Sequence, residues 1–115
     1  MEIGEGLARV ELRPDDPMVV DHVGLVHGGF IFGLADYAAM LAVNDPNVVL
    51  GSAAVRFMKP VRKGDHVVAT ATTTAVNGKK HQVRVEARVD ETAVFEGVFT
   101  CFVLETHVLE QGNDA

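Results

Sequence analysis

The stretch Gly28-Gly29-Phe30-Ile31-Phe32-Gly33-Leu34-Ala35-Asp36-Tyr37-Ala38-Ala39-Met40-Leu41-Ala42-Val43 reads as one helix that is apolar nearly all round. A glycine pair opens it and it contains a single carboxylate. A helix without a polar face is expected to be enclosed rather than to lie on a surface. The residues one turn from Asp36 are Phe32, Gly33, Ala39 and Met40, which offer neither an opposite charge nor a strong hydrogen-bond partner. A carboxylate in such surroundings is costly unless something outside the helix satisfies it or its pKa rises. Chains keep such a group mainly where it does chemistry. The structural alternative is that Asp36 emerges at a solvent-facing gap or pairs with a distant Arg or Lys.

Working outward, Asn44-Asp45-Pro46-Asn47 stops the helix with turn chemistry. Upstream, Leu7 to Leu12 is a short strand halted by Pro14 and Pro17, and residues 18–27 read as an ordered loop entering the helix. Downstream, the hydrophobic period changes from helical to two. Val48 to Met58 is a strand closed by Pro60, and Val67 to Val76 is a second ending at Asn77-Gly78. That dipeptide predicts a hairpin with both residues at positive φ. His81 to Val89 alternates, with Val83, Val85, Ala87 and Val89 on one face and Gln82, Arg84, Glu86 and Arg88 on the other. Asp90-Glu91-Thr92 turns the chain into a last strand from Ala93 to Leu104, and a polar, frayed tail is expected from Glu110. The expected order is strand, helix, then four antiparallel strands. A curved antiparallel sheet around a central helix meets that pattern, an α+β arrangement. It forms one domain over residues 1–115, with its core at about 7–105.

Composition narrows the function classes. With 48% apolar residues among 115, the chain is no disordered segment. No apolar run approaches the ~20 residues of a membrane span, and no basic start with an apolar run marks a signal peptide at Met1-Glu2-Ile3-Gly4-Glu5. The single cysteine, Cys101, excludes an internal disulfide or a thiolate metal cluster and reads as an inert core residue. A cytoplasmic location is expected. A net charge of −6 argues against a nucleic-acid surface. His22, His66, His81 and His107 share no metal-ligand spacing, so no metal is expected. No Ser-His-Asp arrangement surrounds Ser52, the sole serine.

His27-Gly28-Gly29 precede the helix. Two glycines admit a ligand close to the backbone, and the helix-start N–H groups lack intrahelical partners. With the helix dipole these suit developing negative charge, such as the oxyanion of acyl transfer. His27 and Asp36 are nine residues apart, which places them on opposite sides of the helix and about 13 Å apart along its axis. One subunit cannot readily bring both to one substrate atom. Two subunits with antiparallel helices side by side can, so a shared site should lie at a two-fold interface.

The segment from Val26 through His27-Gly28-Gly29 to Asp36 closely resembles the H-G-G-x6-D signature of hotdog-fold acyl-CoA thioesterases, in particular the PaaI-like group. The resemblance continues through Phe57-Met58-Lys59-Pro60, Lys63-Gly64-Asp65 and the closing strands, over about residues 18–105. It implies the hotdog fold, a dimer with one continuous sheet and often a tetramer of two dimers. It also implies an aspartate, here Asp36, as general base or nucleophile. The Gly28 N–H would polarise the thioester carbonyl, with His27 beside it and Asp36 supplied by the other subunit. Three positions depart from the pattern. Asp21 stands where relatives often carry Asn. Met40 stands where some carry a hydroxyl. Ser52 is the nearest hydroxyl on the following strand. Asp21 and Ser52 are therefore the candidates for positioning water.

Arg56, Lys59, Arg62 and Lys63 are grouped, and Lys79-Lys80 sit in a later turn. On an acidic chain these cations suit a small polyanion or are simply solvated strand ends. Under the resemblance they would meet the nucleotide phosphates of CoA. Gly29, Phe30, Leu34 and Tyr37 would line the acyl path. The leading function is hydrolysis of an acyl-CoA or acyl-carrier thioester, with CoA as part of the substrate and no separate cofactor. The second is a non-catalytic acyl-CoA-binding module, as in a malonyl-CoA-responsive lipid regulator. That regulator lacks the helix carboxylate and carries an added DNA-binding domain. A hydroxyacyl-thioester dehydratase, which pairs a His with an acid in a different loop pattern, is the third.

Overall fold

The computed structural model describes residues 2–13, 25–26 and 28–105. Strands β1 (Glu2–Gly4) and β2 (Leu7–Leu12) precede helix α1 (Gly28–Val43). Strands β3 (Val48–Phe57), β4 (Val67–Asn77), β5 (Lys80–Val89) and β6 (Thr92–Val103) follow it. The six strands form one antiparallel sheet in the order β1-β2-β4-β5-β6-β3. The helix lies across its inner face. This is the hotdog arrangement. The β1 strand is absent from the sequence expectation: its three residues form a ladder only because Gly6, at φ 69°, turns the chain back so that Gly4 pairs with Leu7.

The expected hairpin between β4 and β5 exists with a different turn. Asn77 pairs with Lys80, leaving Gly78-Lys79 as the loop, and Gly78 alone of the three takes positive φ (59°). A positive φ at the first central residue only is the II′ rather than the I′ pattern.

Four alanines, Ala35, Ala38, Ala39 and Ala42, form the underside of α1 and let it settle closely on the sheet. Beneath them Phe95, Phe99, Val67, Val83, Val85 and Cys101 are fully buried. The Phe95 and Phe99 rings pack at 6.4 Å, and Phe32 extends the cluster up to the helix at 5.4 Å from Phe99. Within one protomer, however, the helix is not enclosed. Phe30 (42% exposed), Gly33 and Tyr37 (50% exposed) form an open stripe on the side away from the sheet. The uniform apolarity of α1 thus corresponds to one face packed in the core and another exposed on the side away from the sheet.

The outer face of the sheet is polar. Arg56 pairs with Glu96 at 3.0 Å, Arg84 lies 3.8 Å from Glu96 and 3.9 Å from Glu86, and Arg88 also meets Glu86. Such exposed pairs contribute little stability individually, but they show which side of the sheet faces water in the protomer.

Candidate active site

The helix start abuts the end of β3. Gly28 sits against the Phe57 ring, where a side-chain Cβ on residue 28 would lie 3.3 Å from the ring edge. Phe57 is itself held by Phe95 in an edge-to-face contact at 5.1 Å. Around them is a cavity of about 350 Å³, lined by Val26, Gly28, Ile31, Phe57, Lys59 and Val61 among others. Val26 is fixed there by a hydrogen bond from its N–H to the Val61 carbonyl (2.8 Å). The N–H groups of the helix's first turn have no intrahelical acceptor, and no acidic residue occupies that turn. A partly negative oxygen entering the cavity therefore meets the positive end of the helix dipole.

Asp36 lies eight residues further on, about 12 Å along the axis, and does not line this cavity. It stands on the flank of α1 that Phe32 directs toward β6, on the side of the sheet edge formed by β3. Its Oδ1 atom is buried and has no hydrogen-bond partner among the described residues. Burial raises the Asp36 pKa above the ordinary carboxylate value. Among the described residues no ion pair holds this half-buried carboxylate.

The remaining expected residues fall into distinct places. Phe30 and Tyr37 are on the open stripe and Gly29 is exposed at the helix start, whereas Leu34 (8% exposed) belongs to the core. Ser52 follows a bulge at Gly51 and pairs with Thr100, while Leu50 before the bulge pairs with Cys101. Cys101 is on the inner face, so Ser52 stands on the outer face, away from the Asp36 of its own subunit. A Cβ on residue 51 would lie 2.3 Å from the Phe102 ring, so any larger residue there must displace that ring.

The six cations do not make one patch within a protomer. Lys59 is at the cavity. Arg62 and Lys63 lie in the turn beyond, where the Arg62 N–H donates to the Asp65 carboxylate (2.8 Å). Arg56 is committed to Glu96 on the outer face. Lys79, bound to Glu105 at 2.9 Å, and Lys80 are at the opposite end of the sheet. From Lys80 to Ala87, which is level with Phe95 and Phe57, β5 advances about 23 Å. The Lys79 hydrogen bond, with its charge, lowers the pKa of Glu105.

His27, Asp21, His22 and His107 lie outside the described residues, as do Pro14, Pro17, all but residues 25–26 of the expected entry loop over 18–27, and the expected tail from Glu110. Among the described residues no group of His, Cys, Asp and Glu could hold a metal ion, and no helix is long and apolar enough to cross a membrane. Two features were missed from the sequence. Phe57 is half-exposed over the helix start. Cys101 is held as a thiol, its pKa pushed up to about 11 by burial and then by the charge of Asp36.

Residues 23–96 match the family described as the thioesterase superfamily. Among solved structures, an uncharacterized protein from Pyrococcus horikoshii, PH1136, is 61% identical, with 93% of this chain and 82% of that chain covered at a TM-score of 0.92. A single-site mutant of the phenylacetic acid degradation protein PaaI from Thermus thermophilus is 28% identical, with 90% of each chain covered and a TM-score of 0.83. Two curated relatives are longer. A methylthioribose-1-phosphate isomerase from Aquifex aeolicus is 50% identical over 106 residues, 91% of this chain but 23% of that protein. The transcription factor FapR from Caldanaerobacter subterraneus subsp. tengcongensis is 31% identical over 115 residues, 99% of this chain and 56% of that protein. With the helix-on-sheet architecture, the matched residues 23–96 and the PaaI-type neighbour, the chain belongs to the thioesterase superfamily, in its hotdog-fold, PaaI-like group.

Proposed function

We propose that this chain hydrolyses an acyl-CoA or related acyl thioester in a site shared by two subunits. The observation that carries the reading is the Asp36 carboxylate, half-buried, with a buried oxygen lacking any partner among the described residues. In this mechanism the thioester carbonyl oxygen accepts a hydrogen bond from the Gly28 N–H, with His27 beside it. Asp36 of the partner subunit takes a proton from water as the water oxygen attacks the carbonyl carbon. The tetrahedral intermediate then collapses, the carbon–sulfur bond breaks, and the thiolate leaves to be protonated as the free thiol. In the variant of this scheme, the carboxylate attacks directly and water releases the acid from the resulting anhydride. Asp21 is the remaining candidate for holding the water.

Two surfaces support the shared site. The outer edge of β3 has no strand beside it in the protomer among the described residues, and exposed edges invite pairing. The helix stripe of Phe30 and Tyr37 is exposed, as are Val55 and Phe57 on the helix-facing side of that edge strand. Antiparallel pairing of two β3 edges would set the helix start of one protomer toward the helix flank of the other. It would also bring the partner's Lys79-Lys80 end toward Lys59, Arg62 and Lys63, giving the CoA phosphates a joint cationic rim. A tetramer of two such dimers is the larger assembly in this reading.

A thiol-release assay over a panel of acyl-CoA thioesters tests the proposal. Turnover in wild type that falls sharply in a folded Asp36→Asn variant supports it. Binding without turnover would favour the second reading, a ligand-binding module, which draws its support from the match to the transcription factor FapR.

A further inference from the structure

The cavity at the helix start has walls that offer little to a polar ligand. Val26, Ile31, Phe57, Met58, Val61 and Val94 line it, and Lys59 is the charged residue of the lining. Backbone groups in these walls are spent on one another. The Val26 N–H donates to the Val61 carbonyl (2.8 Å), and the Met58 and Lys59 N–H groups both donate to the Val94 carbonyl (2.9 and 3.4 Å). Pro60, also in the lining, has no N–H to give. Gly28 differs, because it opens the helix, where an N–H has no intrahelical acceptor.

A thioester whose carbonyl oxygen meets the Gly28 N–H must send one of its two ends into this cavity. The arm of CoA carries amides and a hydroxyl, which would lose water there and find walls whose polar groups are already paired. A hydrocarbon chain has no such loss and gains about four-fold in affinity for each methylene buried. The walls therefore suit the acyl end. At ~30 Å³ per methylene, close to the share of one water, a cavity of about 350 Å³ holds on the order of ten carbons. Phe57 is the wall most easily changed. Its ring stands edge-to-face on the buried Phe95 at 5.1 Å, lies against Gly28 and is half-exposed. Its size sets the room beside Gly28, and altering it leaves the buried core beneath in place.

We propose that this cavity takes the acyl chain and that Phe57 is the specificity-determining residue that sets the length accepted, so that the substrate class is aliphatic acyl thioesters of short and medium chain. This rests on the reading of the chain as a thioester hydrolase. It places the acyl group beside Phe57 rather than along the exposed stripe of Phe30 and Tyr37.

The test is a chain-length series read in two ways: calorimetric Kd for non-hydrolysable S-ethyl-, S-hexyl-, S-decyl- and S-tetradecyl-CoA, and kcat/KM for acyl-CoAs of matching length. Wild-type affinity should climb steeply from ethyl to hexyl and flatten by decyl. Phe57→Ala should carry the rise on to tetradecyl, raising the tetradecyl-to-hexyl affinity ratio by about ten-fold, the effect of burying one or two further methylenes. Phe57→Trp should lower the decyl-to-hexyl ratio severalfold, and the kcat/KM ratios should follow both variants. Should one variant fold poorly, the other still gives a signed change. Equal losses at every length would make Phe57 merely structural and overturn the proposal. So would a changed Kd for CoA itself with the chain-length ratios unmoved, which would put the arm in the cavity. A ratio that responds to Tyr37→Ala and not to Phe57 would put the chain on the helix stripe and overturn it too. If wild type hydrolyses no thioester, the proposed function falls, while the Kd series still decides whether the cavity takes the chain.

Discussion

The Phe57 ring lies against Gly28, so close that a Cβ on residue 28 would stand 3.3 Å from ring atom Cε1. The aromatic side chain and the bare backbone together define one wall of the cavity at the helix start. A methyl group there must displace either the ring or the first turn of the helix. Phe57 is 52% exposed, so the ring can yield with little loss of stability.

Gly28→Ala should therefore leave Tm nearly unchanged while lowering kcat/KM by roughly 10²-fold, the scale of one misplaced oxyanion donor. Adding Phe57→Leu, which clears the space for the methyl, should return part of the loss. Recovery would show that crowding by Phe57, rather than glycine's flexibility, makes position 28 sensitive.

Asp36→Asn should lower turnover by about two to four orders of magnitude, the range for removing a general base. Its effect on stability has the opposite sign. Burial raises the folded-state pKa of Asp36 above the ordinary 3.8, so its contribution to stability is fully present below that value. It is lost as pH rises through the raised pKa. At neutral pH the ionised group disfavours folding. The variant should melt a few degrees higher at pH 7, with the gain shrinking toward pH 3, as scanning calorimetry across that range would show. A variant less stable at pH 7 would mean that the carboxylate has a partner in the assembled protein.

The helix bounds, Gly28 to Val43, and the span of Leu7 to Leu12 could be read from sequence because their signals are local: a glycine pair, an Asn-Asp-Pro stop, a proline after a short alternating run. What could not be read depends on register. The bulge at Gly51 inverts the parity of β3. Without it Ser52 would share the inner face with Leu50, and with it Ser52 joins Thr100 on the outer face. Only the pairing partner reveals this. The charge of Asp36 bears on Cys101, 65 positions away in the chain, a relation that only the fold creates. The open side of α1 was hidden by its composition, since the exposed face and the buried face of this helix use the same apolar residues.

Complementation tests the two-subunit site. His27→Ala and Asp36→Asn chains, each nearly inactive alone, should regain activity when unfolded together and refolded as a mixture. Random pairing makes half the dimers mixed, each with one intact site, so recovery should approach about a quarter of wild type. Absence of recovery in verified mixed dimers would place the catalytic groups within single subunits or make His27 dispensable.

The cations should separate by position. Arg56 is held by Glu96 on the outer face, whereas Lys59 opens onto the cavity at the helix start. Phosphate contacts help ground state and transition state alike, so Lys59→Ala should raise KM for acyl-CoA several-fold with kcat little changed. Arg56→Ala should leave both constants near wild type. Against a short thioester lacking the nucleotide, Lys59→Ala should behave as wild type, and the wild-type KM for acyl-CoA should rise with salt as screening weakens the contact. Lys79→Ala separates two geometries. Its end of the sheet is about 23 Å from Lys59 in the same protomer, too far for one bound nucleotide to need both. If Lys79→Ala nonetheless raises KM for acyl-CoA alone, the contact must come across the subunit interface, which requires the antiparallel pairing of β3 edges. Equal impairment on both substrates would instead assign Lys59 to the fold around Phe57 and Val61.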